Sequence, residues 1–348
     1  NKLTMNFTNS LIQWYLQKKR DLPWRNTTNP YAIWLSEIML QQTRVAQGTP
    51  YFLSFMDAFP TVFDLAKANE EEVLKLWQGL GYYSRARNLH KTAQYVGFEL
   101  GGVFPGTYND LLKLKGVGEY TAAAIASFSY NEAVPVVDGN VFRVLSRYFD
   151  VETDIALASA KKEFAALAFE LMPKDMPAIF NQAIMEFGAL QCVPKSPDCS
   201  ICVFNESCAA LQKKKVDQLP VKSKKVKVRN RYFNYLVVSD EEENTLIQKR
   251  TSKGIWYNLY EFPLIETEKE EGFDCIADQV QKNHFAPNTI IGMMEDNEKS
   301  IIHKLSHQHL HIKFWKIKIK GRVENGINKE NLKNLPFPIV IYNFIEKE

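Results

Sequence analysis

Two carboxylates and a run of four cysteines are the residues whose type and setting could do chemistry. Glu37 is the single formal charge between Arg25 and Arg44, set among Ile33, Trp34, Ile38, Met39 and Leu40. A helix places Ile33 and Leu40 on the same face as Glu37. Burial of that face raises a carboxyl's pKa toward a value useful for donating a proton. A lone glutamate on a helix is most often solvated; the apolar setting argues otherwise here. Asp138, in AVPVVDGNVFRVLSRY (133–148), stands where the N-cap of a following helix would stand. Capping is an adequate structural reason for it. An ionised carboxylate fixed at a helix N-terminus also suits holding a water or facing a developing cation. Glu37 and Asp138 would then divide the labour, one as neutral acid and the other as charged base or nucleophile.

Four of the five cysteines fall at Cys192, Cys199, Cys202 and Cys208, spaced C-x6-C-x2-C-x5-C. Such a run can close around one metal centre, each thiolate deprotonated by the metal it binds. Disulfides come last, because only Cys275 lies elsewhere and no secretory signal opens the chain. A closed zinc site and an iron-sulfur cubane both remain. The single short knuckle, Cys199 to Cys202, with long unequal arms leans toward the bulkier cubane. Near the other end, KLSHQHLH (304–311) and His303 bring together Ser306, His307, His309 and His311. No cysteine or clustered carboxylate accompanies them, so a polar, base-reading loop is favoured over zinc.

These residues need elements to hold them. A chain of 348 residues with 45% hydrophobic and 24% charged residues can bury more than one core, and two domains are expected. No apolar run approaches the ~20 residues of a membrane helix, and an intracellular protein is expected. Net charge is +3, but its distribution is uneven. Residues 1–208 carry 19 Lys/Arg against 21 Asp/Glu, and residues 232–348 carry 15 against 18. Between them, 209–231 holds Lys213, Lys214, Lys215, Lys222, Lys224, Lys225, Lys227, Arg229 and Arg231 against Asp217 alone. This basic linker reads as a solvated tether, a phosphate-contacting strap, or both.

Within the first part, SLIQWYLQKKR (10–20) reads as a core-facing stripe. Asn29 and Pro30 start a helix running through YAIWLSEIMLQQTR. The loop GLGYYSRARNLH (79–90) is either a turn with aromatic packing or a wedge aimed at bases, with arginines on phosphates. In YNDLLKLKGVGEYTAAAIASF (108–128), Gly116 and Gly118 separate two helices. A helix-hairpin-helix of this kind suits DNA-backbone contact through N–H groups. Beyond the linker, RYFNYLVV, NTLIQKR and HLHIKFWKIKIK alternate as strands do, so a mixed α/β second domain is expected.

Taken with SEIMLQQT, LKGVGEYTA, VDGNV and FNQAIMEFGALQC, these segments resemble adenine DNA glycosylases of the MutY type, in the helix-hairpin-helix, iron-sulfur glycosylase superfamily. The likeness covers nearly the whole chain. It implies an all-α glycosylase half (1–208) bearing a [4Fe-4S] cluster on the four cysteines, the linker 209–231, and a Nudix-like lesion-recognition domain (232–348). It implies that Glu37 protonates a flipped adenine while Asp138 stabilises the oxocarbenium sugar, supported by Tyr120 and Asn140. Arg25 and Gln182 would meet the adenine edge, and Gln42 and Tyr82 would fill or wedge the opened duplex. Ser306 and His307 would recognise 8-oxoguanine, with guanine as the other base opposite adenine. Leu305 departs from the family's frequent Phe. Tyr120 stands where related glycosylase/lyases similar to endonuclease III carry lysine, so no Schiff base is expected. FDCIADQVQKN (273–283) lacks the acidic pairs of a working Nudix box. A monomer acting on mispaired duplex DNA, cytoplasmic if bacterial, is the expectation. A glycosylase/lyase and a silent lesion-binding scaffold are the rivals.

Overall fold

The computed structural model describes residues 2–223, 227–283 and 289–348; Lys224 and Lys225 of the basic linker lie outside them. The chain forms two compact units, one of residues 1–67 with 88–224 and the other of 68–87 with 225–348.

In the first unit, Asn29 Oδ1 accepts the Tyr31 N–H at 2.9 Å and Pro30 takes the first helical position, which starts the helix Pro30–Leu40. Every residue of it from Tyr31 to Met39 is buried. It ends before the expected QQTR, with Gln42 in the left-handed region at φ 55°. It packs on the helix Glu119–Tyr130, where Ala122, Ala123, Ala124 and Ala126 are small enough for close approach. A separate core joins the helices Lys2–Lys18, Gly139–Phe149, Ala158–Leu171 and Pro177–Leu190 through Phe7, Leu11, Val144, Phe164, Phe180 and Phe187. Cys192, Cys202 and Cys208 pack against that core.

The second unit is built on a seven-stranded sheet. Its long central pair, β1 (Arg229–Ser239) and β2 (Gln308–Ile319), runs parallel, Arg229 opposite Gln308 through Ser239 opposite Lys318. Side chains alternate across it. Leu236, Val238, Trp315 and Ile317 meet Ile276 and Val280 of the helix Phe273–Asn283 on one face. On the other, Phe314 stacks on Phe344 of the helix Ile339–Lys347 at 4.1 Å. An edge hairpin joins Ile301–Lys304 to the start of β2.

The helix Glu70–Trp77 belongs to this second unit, although its residues lie among the first 208. Glu71 accepts from Lys249 Nζ at 2.9 Å and from the Tyr260 hydroxyl at 2.7 Å, and Glu70 accepts from Asn258 at 2.5 Å. The basic segment 209–231 is also structured in part. Ala209–Gln212 is helical and Arg229 opens β1. Lys213 pairs with Asp150 at 2.6 Å, Lys215 with Glu152, and Arg231 with Glu266 at 2.7 Å. Among the described residues, three of these charges are therefore spent within the protein, while Lys214, Lys222, Lys227 and Arg229 are exposed.

Candidate active site and DNA-facing elements

Glu37 is 7% exposed. The Tyr120 hydroxyl donates to its Oε2 at 2.8 Å. Burial raises the Glu37 carboxyl to about 7; the Tyr120 bond opposes that shift, the charge of Asp138 adds to it and Arg25 counters it. Tyr120 is itself held well above its usual range, first by burial and then by the two carboxylates, so it stays a neutral donor.

Asp138 caps the helix Gly139–Phe149, its Oδ1 accepting the Val141 N–H at 2.8 Å. Its Oδ2 accepts from Asn140 Nδ2 at 2.8 Å. Burial raises its pKa too, and the Val141 and Asn140 donors pull against that. The two carboxyls thus form a coupled pair, and the donors on Asp138 favour its charged form. Arg143, one turn along, donates to Asn140 Oδ1 at 2.8 Å, to the Gly188 carbonyl at 2.6 Å and to the Cys192 carbonyl at 2.7 Å. Gly188 has no alternative here, since a Cβ on it would stand 2.6 Å from the Asn140 Cβ.

Gln182 Oε1 accepts the Tyr15 hydroxyl at 2.9 Å, so its amide N–H groups take no part in that bond. Arg25 donates through one Nη to Glu186 at 2.7 Å, while its other Nη is buried without a partner. Glu186 and Arg143 were missed in the sequence. The signal that marked Glu37 marks Glu186 as well, since it is the single formal charge between Asp175 and Lys195.

At the hairpin, Gly116 adopts φ +78°, and a Cβ there would lie 2.9 Å from the Asn88 Cβ. Gly118 caps the helix Glu119–Tyr130 at φ −89°, with nothing near its missing Cβ. Gln42 and Tyr82, the expected wedges, are both exposed and both hold left-handed backbone, at φ 55° and 49°. Non-glycine residues in that region are uncommon and occur at functional sites as well as in helix caps and turns. In the second unit the Tyr82 hydroxyl is hydrogen-bonded to Ser306 Oγ. Ser306 and His307 form the turn of the edge hairpin, closed by the Leu305 N–H on the Gln308 carbonyl at 2.8 Å. Tyr82, Trp256, Leu305, Ser306 and His307 line a cavity of about 230 Å³. Arg85 and Arg87 turn inward instead of lying open to phosphates: Arg85 donates to the Gly81 carbonyl at 3.1 Å and Arg87 to the Tyr257 carbonyl at 2.8 Å.

Cys192, Cys199, Cys202 and Cys208 are unbridged and line one cavity with Val144, Phe187 and Phe204. Burial pushes the Cys202 thiol up to about 11; the Phe204 N–H opposes this, and the other three sulfurs add to it. Arg147 donates to Cys192 Sγ at 3.4 Å and the Phe204 N–H to Cys202 Sγ at 3.4 Å, the contacts a thiolate ligand accepts. The donor set, four thiols lining one cavity, is chemically that of a thiolate-held centre, although the sulfurs do not close on one point. Among the described residues, no three His, Cys, Asp or Glu side chains stand as a group that could hold a metal ion. No helix among them is long and apolar enough to cross a membrane.

A helical unit with a glycine hairpin, a buried Glu37 and a half-buried Asp138 is joined to a strand-rich unit, the arrangement of a two-fold DNA-acting protein. Residues 35–173 match the HhH-GPD superfamily base excision DNA repair protein family, and residues 234–347 match the NUDIX domain. The chain is 35% identical over 307 residues to the adenine DNA glycosylase of Buchnera aphidicola subsp. Schizaphis graminum, across 88% of this chain and 86% of that one. To the Homo sapiens adenine DNA glycosylase it is 46% identical over 222 residues, 61% of this chain and 41% of that protein. The solved structure of a thermostable thymine-DNA glycosylase is similar at TM-score 0.56 and 30% identity, covering 61% of this chain and 98% of that one. A non-covalent endonuclease III–DNA complex shares the fold at TM-score 0.53 and 22% identity, over 60% and 95% of the two chains. The chain belongs to the adenine DNA glycosylase family. The helical glycosylase half, the Nudix-like second fold and the resemblance to MutY-type enzymes therefore hold.

Proposed function

We propose that this chain removes adenine from duplex DNA where it stands opposite 8-oxoguanine or guanine, by hydrolysing the N-glycosidic bond without cutting the strand. One observation carries the reading: Glu37 is buried beside Tyr120 and Asp138, with its pKa raised to about 7. A protonated Glu37 delivers its proton to the flipped base, and the charged Asp138, held by Val141 and Asn140, faces the cation that develops on the sugar and assists the attacking water. Tyr120 gives no amine for a Schiff base. The open Nη of Arg25 and the amide N–H groups of Gln182 present donors to the acceptor nitrogens of adenine. Gln42 and Tyr82 occupy the opened stack, and the hairpin at Gly116 and Gly118 takes the phosphates. Ser306, His307 and the adjoining cavity read the opposite base.

The four cysteines would hold a [4Fe-4S] cluster, which supplies a structural cross-link and no proton chemistry. Arg147 and the Phe204 N–H satisfy their sulfurs. The protein acts as an intracellular monomer, with exposed Lys214, Lys222, Lys227 and Arg229 left to meet phosphates.

An 8-oxoguanine:adenine duplex incubated with the protein, then analysed with and without alkali beside Glu37→Gln, tests the reading. Adenine release with breaks only after alkali, lost in the variant, is expected. Breaks without alkali would support a lyase, and no release from the parent chain would support a lesion-binding scaffold.

A further inference from the structure

Glu186 is fully buried and has no part in the proton transfer above. Its Oε1 accepts the Arg20 backbone N–H at 3.0 Å and Arg20 Nε at 2.8 Å. Its Oε2 accepts Arg20 Nη2 and Arg25 Nη2, each at 2.7 Å. Burial alone would push this carboxyl up; the two guanidinium groups outweigh it and hold it at about 2. Glu186 is therefore a fixed anion at any working pH.

The two arginines are not equivalent. Arg20 is 34% exposed in its side chain, and Arg25 14%. Arg25 has one Nη bound to Glu186 and the other buried and unpaired, an arrangement that costs stability unless something else fills it. Because the guanidinium is a rigid planar fork, fixing one nitrogen restricts where the other lies. We infer that Glu186 is a positioning residue for base excision: it holds Arg25 so that the open nitrogen is offered to an acceptor of the extruded base. The inference rests on the function proposed above.

It has a second consequence that a merely structural role would lack. The charged and titratable groups that act on Glu37 are Tyr120 and Arg25, which lower its pKa, and Asp138, which raises it. In Glu186→Asp, which keeps the anion, an Arg25 drawn away stops lowering it, so the pH above which Glu37 loses its proton rises; in Glu186→Gln the lost negative charge acts the opposite way.

The test uses the full chain with Glu186→Asp, Glu186→Gln, Arg25→Gln and the double variant Glu186→Gln/Arg25→Gln. Glu186→Asp keeps the buried charge, and with it the fold, but withdraws the carboxylate by about 1.5 Å. Single-turnover adenine release is expected to fall about 100-fold in the Glu186 variants, as for a misplaced positioning group. In Glu186→Asp the alkaline midpoint should move to higher pH as it does in Arg25→Gln, and the double variant should be no slower than Arg25→Gln alone. The Glu37 titration is followed independently by 13C NMR of glutamate-labelled, DNA-free protein. An unmoved midpoint in Glu186→Asp, or losses that add in the double variant, would overturn the inference. If the parent chain releases no adenine, the functional reading fails, and the NMR midpoints alone decide the role of Glu186.

Discussion

Glu37 should make this protein less stable as the pH rises toward neutrality, and removing its charge should reverse that. The carboxyl has an ordinary pKa of 4.5 and about 7 in the folded protein. Below the lower value both states hold the proton and nothing is lost. Between the two, the unfolded chain releases its proton while the folded one keeps it, so stability declines with rising pH. Above the higher value the decline is complete. The gap corresponds to about 3 kcal/mol. Glu37→Gln keeps the shape and an acceptor for Tyr120 but never carries charge. Relative to the parent it should therefore gain about 2–3 kcal/mol between about pH 5 and about pH 8.5. In a unit of about 200 residues, that is a relative gain in melting temperature of roughly 4–12 °C. Unfolding of both full-length proteins at each pH, scored as the difference between them, cancels the other titrating groups. A difference that does not change with pH would refute the account of Glu37 as a buried acid. The same variant should lose adenine release, so the group that weakens the fold is the one the chemistry uses.

Tyr120→Phe removes a bond that holds the Glu37 pKa down; the alkaline limb of single-turnover adenine release should move up by about one pH unit. Anaerobically purified protein should carry about four iron and four sulfide per chain and absorb in the visible, and Cys199→Ser should lose iron and melt at lower temperature. Zinc in place of iron would sink the cluster assignment. Gly116→Ala meets both a positive φ and the Asn88 Cβ; it should cost about 1–3 kcal/mol in thermal unfolding and weaken DNA binding, whereas Gly118→Ala, in open space, should stay within about 0.5 kcal/mol. Ser306→Ala removes the partner of Tyr82, and the excision preference for 8-oxoguanine:adenine over guanine:adenine should narrow by about tenfold.

Much of the helical unit was legible in the sequence because its decisive residues break a local pattern. Glu37 interrupts an apolar run, Asp138 precedes a helix, and Asn29-Pro30 opens one; all three signals are read within a few residues. What escaped depends on partners far along the chain. Glu186 breaks its own apolar run, yet the arginines that make it a permanent anion are 161 and 166 residues away. The neutralisation of Lys213 and Arg231 is equally invisible in a count of charges, because Asp150 and Glu266 lie 63 and 35 residues off. Arg87 looked available to phosphates for the same reason, since the Tyr257 carbonyl it turns toward lies 170 residues off, whereas Arg85 turns to a carbonyl only four residues back. The strand character of the second unit was clear from alternation, but the parallel pairing of β1 with β2 was not.

The helix Glu70–Trp77 and the Tyr82 loop have a bearing on how this protein can be cut and recombined. The second unit is a split module, with one piece of twenty residues encoded early and the rest encoded after residue 224. A chain truncated near that point would keep Tyr82 without Ser306, and Glu70 and Glu71 without Asn258, Lys249 and Tyr260. Lost discrimination in such a fragment would combine a missing reader with a damaged wedge. A chimera that grafts the C-terminal sequence of a relative onto this chain must bring the relative's counterpart of residues 68–87 with it, or the graft will meet the wrong half of its own fold.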